Sequence, residues 1–195
     1  MRARLGSILL LSAIAIVFGF ELAGGAVGND AGLLSLGALP DSGQLHREYW
    51  RLITFGFLHY DLTHILLNTA LLFWVGPVVE RRAGTAWILA IFLGASLVSG
   101  IGILAKHQFW PSQGASIGAS GGLFGLLGAA LVLVFRLPNQ QRAARAALMV
   151  VLALGLAYSA LPGISMVGHL CGLIVGAAMA FFIMRAGSTP SVAGT

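Results

Sequence analysis

The chain contains an apolar stretch without a charged residue, SGGLFGLLGAALVLVF, at residues 120–135. Gly118 and Ala119 precede it, so Ser120 stands among small residues where the stretch begins. A second apolar run carries Gly168 and His169 near its own start. Polar groups at membrane depth are costly, and by default they mark a functional site. The two runs therefore indicate a candidate functional site in which Ser120 and His169 lie inside a bilayer.

The composition of the whole chain indicates a membrane protein. Of its 195 residues, 58% are hydrophobic and 9% are charged, and the mean hydropathy is +0.93, whereas soluble domains carry about 25% charged residues. The 27 glycines suit helices that pack closely in lipid. The net charge of +5 does not indicate a nucleic-acid partner, because the basic residues are scattered between apolar runs. Cys171 is the only cysteine, so no internal disulfide is possible.

Six apolar runs approach the length of about 20 residues that a membrane-spanning helix needs. They cover residues 5–23, 62–79, 85–104, 120–135, 144–161 and 166–184. The fourth is short and glycine-rich at its start, which predicts that its outer end lies below the membrane surface. The sequence thus predicts an all-α membrane protein, a six-helix bundle forming one domain over residues 1–195, with a flexible tail at 187–195.

The basic residues predict the orientation of these spans. Six spans place both termini on one side, and that side holds eight of the eleven basic residues: Arg2, Arg4, Arg81, Arg82, Arg136, Arg142, Arg145 and Arg185. The positive-inside rule therefore predicts that both termini are cytoplasmic. A signal peptide is the alternative interpretation of the first run, because Arg2 and Arg4 precede it, although Glu21 fits poorly just before a cleavage site.

In this topology four polar side chains share the outer third of the membrane: Ser120, His169, His64 and Asn68. A serine hydroxyl becomes a good nucleophile when a base takes its proton, and histidine is the usual base. His64 and Asn68 are spaced i,i+4, so they lie on one helix face and can both donate hydrogen bonds to a developing oxyanion. Gly118 and Gly121 allow close backbone approach around Ser120.

Each of these features also has a structural interpretation. A Gly-x-Ser-Gly sequence is often only a helix contact, a single buried histidine is often structural, and His64 and Asn68 can cap or bridge helices. Their joint occurrence at one depth favours catalysis. A metal hydrolase is not favoured, because there is no His-Glu-x-x-His and the spacing of His59 and His64 is five. No metal or cofactor is predicted.

These motifs resemble the rhomboid family of intramembrane serine proteases, and the resemblance extends from Glu48 to Ala180. It rests on Trp50-Arg51, His59-Tyr-Asp-Leu-Thr-His64-Ile-Leu-Leu-Asn68, Glu80-Arg81-Arg82, Gly118-Ala119-Ser120-Gly121 and Gly168-His169-Leu-Cys-Gly172-Leu-Ile-Val-Gly176. Several motifs in the family's order make the resemblance specific. The length is similar to that of the minimal six-helix bacterial form.

The resemblance implies that Ser120 is the nucleophile and His169 the general base, in a dyad without a carboxylate. It implies that the Ser120 N–H and the side chains of Asn68 and His64 hold the oxyanion. Phe124 stands where many bacterial members have tyrosine, and it is expected to stack on the His169 ring.

The resemblance also implies supporting roles for other residues. Residues 24–57 would contain a membrane-embedded loop anchored by Trp50 and Arg51, and Glu80 would pair with arginine on the cytoplasmic side. Gly172 and Gly176 would press the sixth span against the fourth near Gly121 and Gly128.

The implied function is a serine endopeptidase that cleaves single-pass membrane proteins near the outer face, in a bacterial inner membrane. Span five is the predicted gate, and Pro162–Ser165 the predicted lid. A catalytically inactive rhomboid-like protein that binds or escorts membrane helices is the alternative. A small transporter is disfavoured, because no span is broken by an internal proline and no carboxylate lies at mid-membrane. Neither the substrate's identity nor the oligomeric state can be predicted.

Overall fold

The computed structural model describes residues 4–110, 114–136 and 141–185. In these ranges the chain forms eight α-helices and a 3₁₀ turn at Phe55–Phe57. The helices are α1 (Leu5–Ala23), α2 (Asp30–Leu36), α3 (Arg51–Thr54), α4 (Leu62–Ala83), α5 (Thr85–Phe109), α6 (Ser120–Phe135), α7 (Arg142–Ser159) and α8 (Met166–Arg185). The predicted tail at 187–195 lies outside the described residues.

Five helices, α1, α4, α5, α7 and α8, are long and apolar enough to cross a membrane, and α6 is a shorter apolar helix of 16 residues. α5 runs five residues past the expected end of its span at Leu104. Its polar last turn is held by the loop beside it, since His107 Nδ1 lies 3.3 Å from the Pro40 carbonyl and Gln108 donates to the Gly43 carbonyl at 2.8 Å. Pro77 lies inside α4. Proline has no backbone N–H, so one helical hydrogen bond is missing there, but the helix continues to Ala83.

The short helix α6 lies at the centre of the bundle. Twelve of its residues are buried, and it packs against α4, α5, α7 and, most extensively, α8. Leu123, Leu126 and Leu127 are fully buried in the same cluster as Leu72 of α4 and Ile91 of α5. A helix that is apolar on all sides suits such a central position.

Glycines bring the main chains of α6 and α8 into direct contact. A Cβ built at Gly172 would overlap the carbonyl oxygen of Gly121, and a Cβ at Gly176 would overlap that of Gly125. Gly128 of α6 meets the Leu173 carbonyl of α8 in the same way. Small residues allow such close approach between membrane helices. The relative height of the two helices is therefore set by backbone contacts.

The expectation that Glu80 pairs with arginine is wrong. Its Oε1 accepts hydrogen bonds from the Gly6 N–H at 2.6 Å and the Thr85 hydroxyl at 2.8 Å. Its Oε2 accepts from the Ser7 N–H at 2.9 Å and the Ser7 hydroxyl at 2.8 Å. Adjacent side chains on a helix do not face each other, so the two arginines after Glu80 do not share its position. The carboxylate instead caps the first turn of α1, whose N–H groups lack partners within the helix.

Arg51 holds together the loop that precedes α4. Its Nη1 donates to the carbonyls of Leu34 at 2.6 Å and Ala38 at 2.9 Å. Its Nε donates to Glu48 at 2.7 Å, and the guanidinium lies 4.8 Å from the centre of the Trp50 ring. Arg51 thus connects distant parts of the loop to α3, while Trp50 is about half exposed (47%).

The same loop holds the segment that leads into α6. Leu39 and Ser116 form an isolated antiparallel bridge with hydrogen bonds of 3.0 and 2.9 Å. The Gly118 N–H donates to the Phe55 carbonyl at 2.9 Å. These bonds fix the backbone just before Ser120.

Candidate active site

Ser120 and His169 meet at the starts of two helices in contact. The Oγ of Ser120 lies 2.7 Å from Nε2 of His169. Ser120 is the first residue of α6, and His169 lies in the first turn of α8. Ser165 orients that turn, because its carbonyl accepts from the His169 N–H and its hydroxyl accepts from the Gly168 N–H, both at 3.1 Å. The structure thus brings these two residues, predicted from separate motifs, within hydrogen-bonding distance.

Phe124 packs flat against the His169 ring. The ring centroids are 4.2 Å apart and the planes differ by 3°. Both side chains are buried, with exposed fractions of 4% and 5%. Phe124 lies one turn after Ser120 on α6, so the helix that supplies the serine also orients the histidine ring.

Ser159 is a neighbour of His169 that sequence reasoning missed. Its Oγ lies 2.5 Å from His169 Nδ1 and 2.6 Å from the Gly155 carbonyl oxygen. Ser159 is the last residue of α7 and is buried. No motif marks it in the sequence, where it is one serine at the end of an apolar run.

His64 and Asn68 lie in the first two turns of α4. Asp61 caps this helix by accepting the His64 N–H at 2.7 Å. The backbone N–H of Tyr60 donates to His64 Nδ1, with 3.4 Å between the two nitrogens. Because Nδ1 accepts this bond, the ring proton of His64 is assigned to Nε2. One N–H of the Asn68 amide donates to the His64 carbonyl at 3.1 Å, and an amide nitrogen has two such donors.

Gly118 keeps the space between His64 and Ser120 open. Its φ of +121° is a conformation that L side chains rarely adopt. A Cβ there would lie 2.8 Å from His64 Nε2 and 3.7 Å from Ser120 Oγ. Because glycine has no Cβ, there is room for a substrate oxygen close to both Ser120 Oγ and the ring Nε2–H of His64.

A cavity of about 480 Å³ opens over these groups. Its polar lining includes Ser120, His169, His64 and Asn68, and its apolar lining includes Leu71 and Leu154. A mostly apolar pocket with a few convergent polar groups is typical of a binding site.

Two of the elements that line this cavity were predicted as gate and lid. α7 contributes Val151, Leu154, Gly155 and Tyr158, although only Leu148 and Ser159 of its residues are buried. The residues 163–165, from the predicted lid, line the same cavity.

His59 lies behind His64 and is fully buried. The two ring centroids are 5.0 Å apart and the ring planes differ by 65°. Burial lowers the pKa of His59 to about 3, so it stays neutral at physiological pH. The backbone N–H of His59 donates to Oε1 of Glu21 at 2.9 Å, which ties α1 to the turn before α4. Across the described ranges, no three His, Cys, Asp or Glu side chains are grouped so that they would hold a metal ion.

The long apolar helices define an all-α, multi-pass integral membrane protein. The chain belongs to the rhomboid family, since the family model described as the Rhomboid domain matches residues 46–186.

The chain is also similar in sequence to proteins that carry rhomboid names. The chain is 35% identical to the rhomboid protease GluP of Bacillus subtilis over 181 residues, or 90% of this chain and 34% of GluP. It is 31% identical to the rhomboid protease GlpG of Yersinia pestis over 161 residues, or 80% of this chain and 56% of GlpG. It is 34% identical to RHOMBOID-like protein 1 of Arabidopsis thaliana over 158 residues, or 78% of this chain and 40% of that protein. The chain thus spans between a third and just over half of the length of these relatives.

Proposed function

We propose that this protein is an intramembrane serine endopeptidase that cleaves membrane-protein segments near the outer face of the membrane through a Ser120–His169 dyad. The observation that carries the proposal is the 2.7 Å hydrogen bond between Ser120 Oγ and His169 Nε2, two residues that line the cavity. The names of GluP and GlpG as rhomboid proteases support the same reaction class.

In the first step Ser120 Oγ attacks the carbonyl carbon of the scissile peptide bond. His169 Nε2 takes the hydroxyl proton, which makes the serine oxygen nucleophilic. The carbonyl π electrons move to its oxygen, and a tetrahedral oxyanion forms. His169 then gives the proton to the leaving amine, the C–N bond breaks, and Ser120 retains an acyl ester.

The oxyanion needs donors that are already in place. The backbone N–H of Ser120, the first residue of α6, is one proposed donor. At the start of a helix the backbone N–H groups lack partners within the helix, and the helix dipole favours negative charge. The His64 Nε2–H and the second N–H of Asn68 complete the proposed set, in the space left by Gly118. A donor aimed at such an oxyanion contributes about 3–4 kcal/mol.

Water completes the reaction. His169 Nε2 takes a proton from a water molecule, the resulting hydroxide attacks the ester carbonyl, and the C–O bond to Ser120 breaks. The proton returns to the Ser120 oxygen, which regenerates the dyad and releases a carboxylic acid, which then loses its remaining proton to water.

The proposed topology determines which face the site serves. Six spans with cytoplasmic termini place the starts of α4, α6 and α8 at the outer face, which makes the cavity accessible from that side. The substrate would be a single-pass membrane segment that unwinds beside α7, and the host membrane a bacterial inner membrane. The weakly packed α7 suits a gate that moves aside to admit the substrate.

The test is cleavage of a reporter membrane protein in proteoliposomes. Ser120→Ala and His169→Ala are each expected to abolish cleavage. The matched controls Ser42→Ala and His46→Ala change exposed residues in the loop before α4 and are expected to cleave normally. Cleavage that persists in Ser120→Ala or His169→Ala would contradict the proposal.

Labelling with a fluorophosphonate separates this proposal from the inactive binding protein. An activated Ser120 is expected to react with the reagent, and Ser120→Ala is expected to be unlabelled. A wild-type protein that binds membrane helices but does not react would favour the binding protein.

A further inference from the structure

Ser159 contacts the proposed base without lining the cavity. Its side chain is 2% exposed, whereas its neighbours Gly155 and Tyr158 line the cavity wall. It therefore lies behind His169 as seen from the substrate. A serine at this place can act on the reaction only through the imidazole.

The hydrogen bonds around Ser159 determine which atom donates. The Gly155 carbonyl can only accept, so at 2.6 Å it takes the hydroxyl proton of Ser159. This is the bond that a helical serine makes to the carbonyl four residues earlier. With its only proton committed, the Ser159 oxygen is an acceptor toward His169 Nδ1 at 2.5 Å. The proton of the neutral imidazole then lies on Nδ1.

This tautomer is the one that the dyad requires. With the proton on Nδ1, the lone pair of Nε2 faces Ser120 Oγ at 2.7 Å and can take its proton. The opposite tautomer would place an N–H toward Ser120 and leave no base. A third group that orients a catalytic histidine is a recurrent feature of serine nucleophiles.

We propose that Ser159 is a positioning residue that fixes the tautomer and orientation of His169 by accepting its Nδ1–H. This inference rests on the proposed function, because it assigns Ser159 a role through the Ser120–His169 dyad. It also connects the end of the proposed gate helix α7 directly to the base.

The first test compares the cleavage kinetics of Ser159→Ala with wild type. The variant is expected to lower kcat about tenfold, which corresponds to about 1.4 kcal/mol, with KM unchanged because Ser159 does not touch substrate. Ser159→Thr is expected to restore kcat to within about threefold, since threonine also bonds the carbonyl four residues earlier. Ser96→Ala is the matched control: Ser96 is also 2% exposed, and its hydroxyl has no hydrogen-bond partner within the described part of the chain.

The second test reads the tautomer itself. In ¹⁵N-histidine-labelled protein, with the His169 signals assigned by comparison with His169→Ala, wild type is expected to show a protonated Nδ1 and an unprotonated Nε2. Ser159→Ala is expected to show a mixture of tautomers. This measurement needs no substrate, and the wild-type spectrum alone decides the assignment if Ser159→Ala does not fold.

Three results would overturn the inference. They are an unchanged kcat in Ser159→Ala, an equal loss in Ser96→Ala, and a wild-type His169 protonated at Nε2. Each leaves the proposed function standing as long as Ser120→Ala abolishes cleavage. Cleavage that survives Ser120→Ala would contradict the proposed function. The tautomer of His169 in wild type would still be measured independently and would still test whether Ser159 accepts the Nδ1–H.

Discussion

Replacing Gly176 by alanine tests whether the contact between α6 and α8 sets the distance between Ser120 and His169. A Cβ at position 176 would overlap the Gly125 carbonyl oxygen, closer than the 3.0 Å below which real Cβ atoms are essentially never found. Ordinary van der Waals contact begins at 3.4 Å, and both partners are main-chain atoms that cannot rotate away. The two helices must therefore separate by at least about 1 Å at this point.

This separation has an expected cost both in stability and in rate. Overpacking of a tight contact costs about 1–3 kcal/mol in the free energy of unfolding. If the separation reaches the ends of the helices, it lengthens the 2.7 Å distance between Oγ and Nε2 beyond hydrogen-bonding range. Misplacement by about 1 Å can lower a rate about a hundredfold, so kcat is expected to fall by about that factor.

The assay measures kcat with a reporter membrane segment in proteoliposomes, alongside denaturant-induced unfolding of the same preparation. Gly19→Ala is the matched control, because a Cβ at this exposed position of α1 would meet nothing within 4 Å. Its kcat is expected to be unchanged, and its stability unchanged or higher by up to about 1 kcal/mol from helix propensity. A Gly176→Ala protein with wild-type kcat and wild-type unfolding would refute the reasoning.

Three further substitutions test other contacts. Glu80→Gln replaces one carboxylate oxygen by an NH₂ group, so one backbone N–H in the first turn of α1, that of Gly6 or that of Ser7, loses its acceptor, and unfolding is expected to require about 1–3 kcal/mol less. Phe124→Leu keeps an apolar side chain but removes the stack on His169, and kcat is expected to fall about two- to tenfold. Burial lowers the pKa of His59 from 6.5 to about 3, so between these values the unfolded chain binds one more proton than the folded one. Stability is therefore expected to fall as pH drops from 6.5 toward 3, with a contribution from His59 of about 1.4 kcal/mol per pH unit that His59→Gln removes.

Each of these has its own control. Glu48→Gln changes a half-exposed carboxylate (47%) paired with Arg51, and it is expected to cost less than about 1 kcal/mol; an equal loss in both variants would contradict the cap. Phe182→Leu alters a ring that is 69% exposed and is expected to leave kcat unchanged; a Phe124→Leu protein with wild-type kcat would show that the stack is dispensable. For His59, parallel stability curves of wild type and His59→Gln between pH 4 and 7 would rule out the titration.

The sequence identifies elements whose signal is local. The apolar runs mark the long helices because a membrane helix must be apolar along its length, as in the stretch from Ser120 to Phe135. Ser120 and His169 are recognisable because each polar group stands at the start of such a run. The stack of Phe124 on His169 follows from the i,i+4 spacing of Phe124 after Ser120, once those two residues are placed together.

Contacts that depend on how distant segments fold together are not visible in the sequence. Ser159 reaches His169 only because the residues after it bring the end of α7 against α8. The bonds of Arg51 to the carbonyls of Leu34 and Ala38 leave no trace in residue type, since any residue provides a carbonyl. An arginine on the cytoplasmic side is the expected partner of Glu80, whereas its actual partners Gly6 and Ser7 lie more than 70 positions away in the sequence.

The direct contact of main chains at Gly172 and Gly176 bears on how heat is expected to inactivate the proposed enzyme. Side chains change rotamer within nanoseconds, but two touching backbones separate only when their helices unpack. Because Ser120 and His169 lie in the first turns of the two helices joined in this way, the proposed dyad is expected to persist as long as the helix pair does. Loss of the contact between Ser120 and His169 on heating is therefore expected to coincide with the unpacking of α6 from α8 at the centre of the bundle.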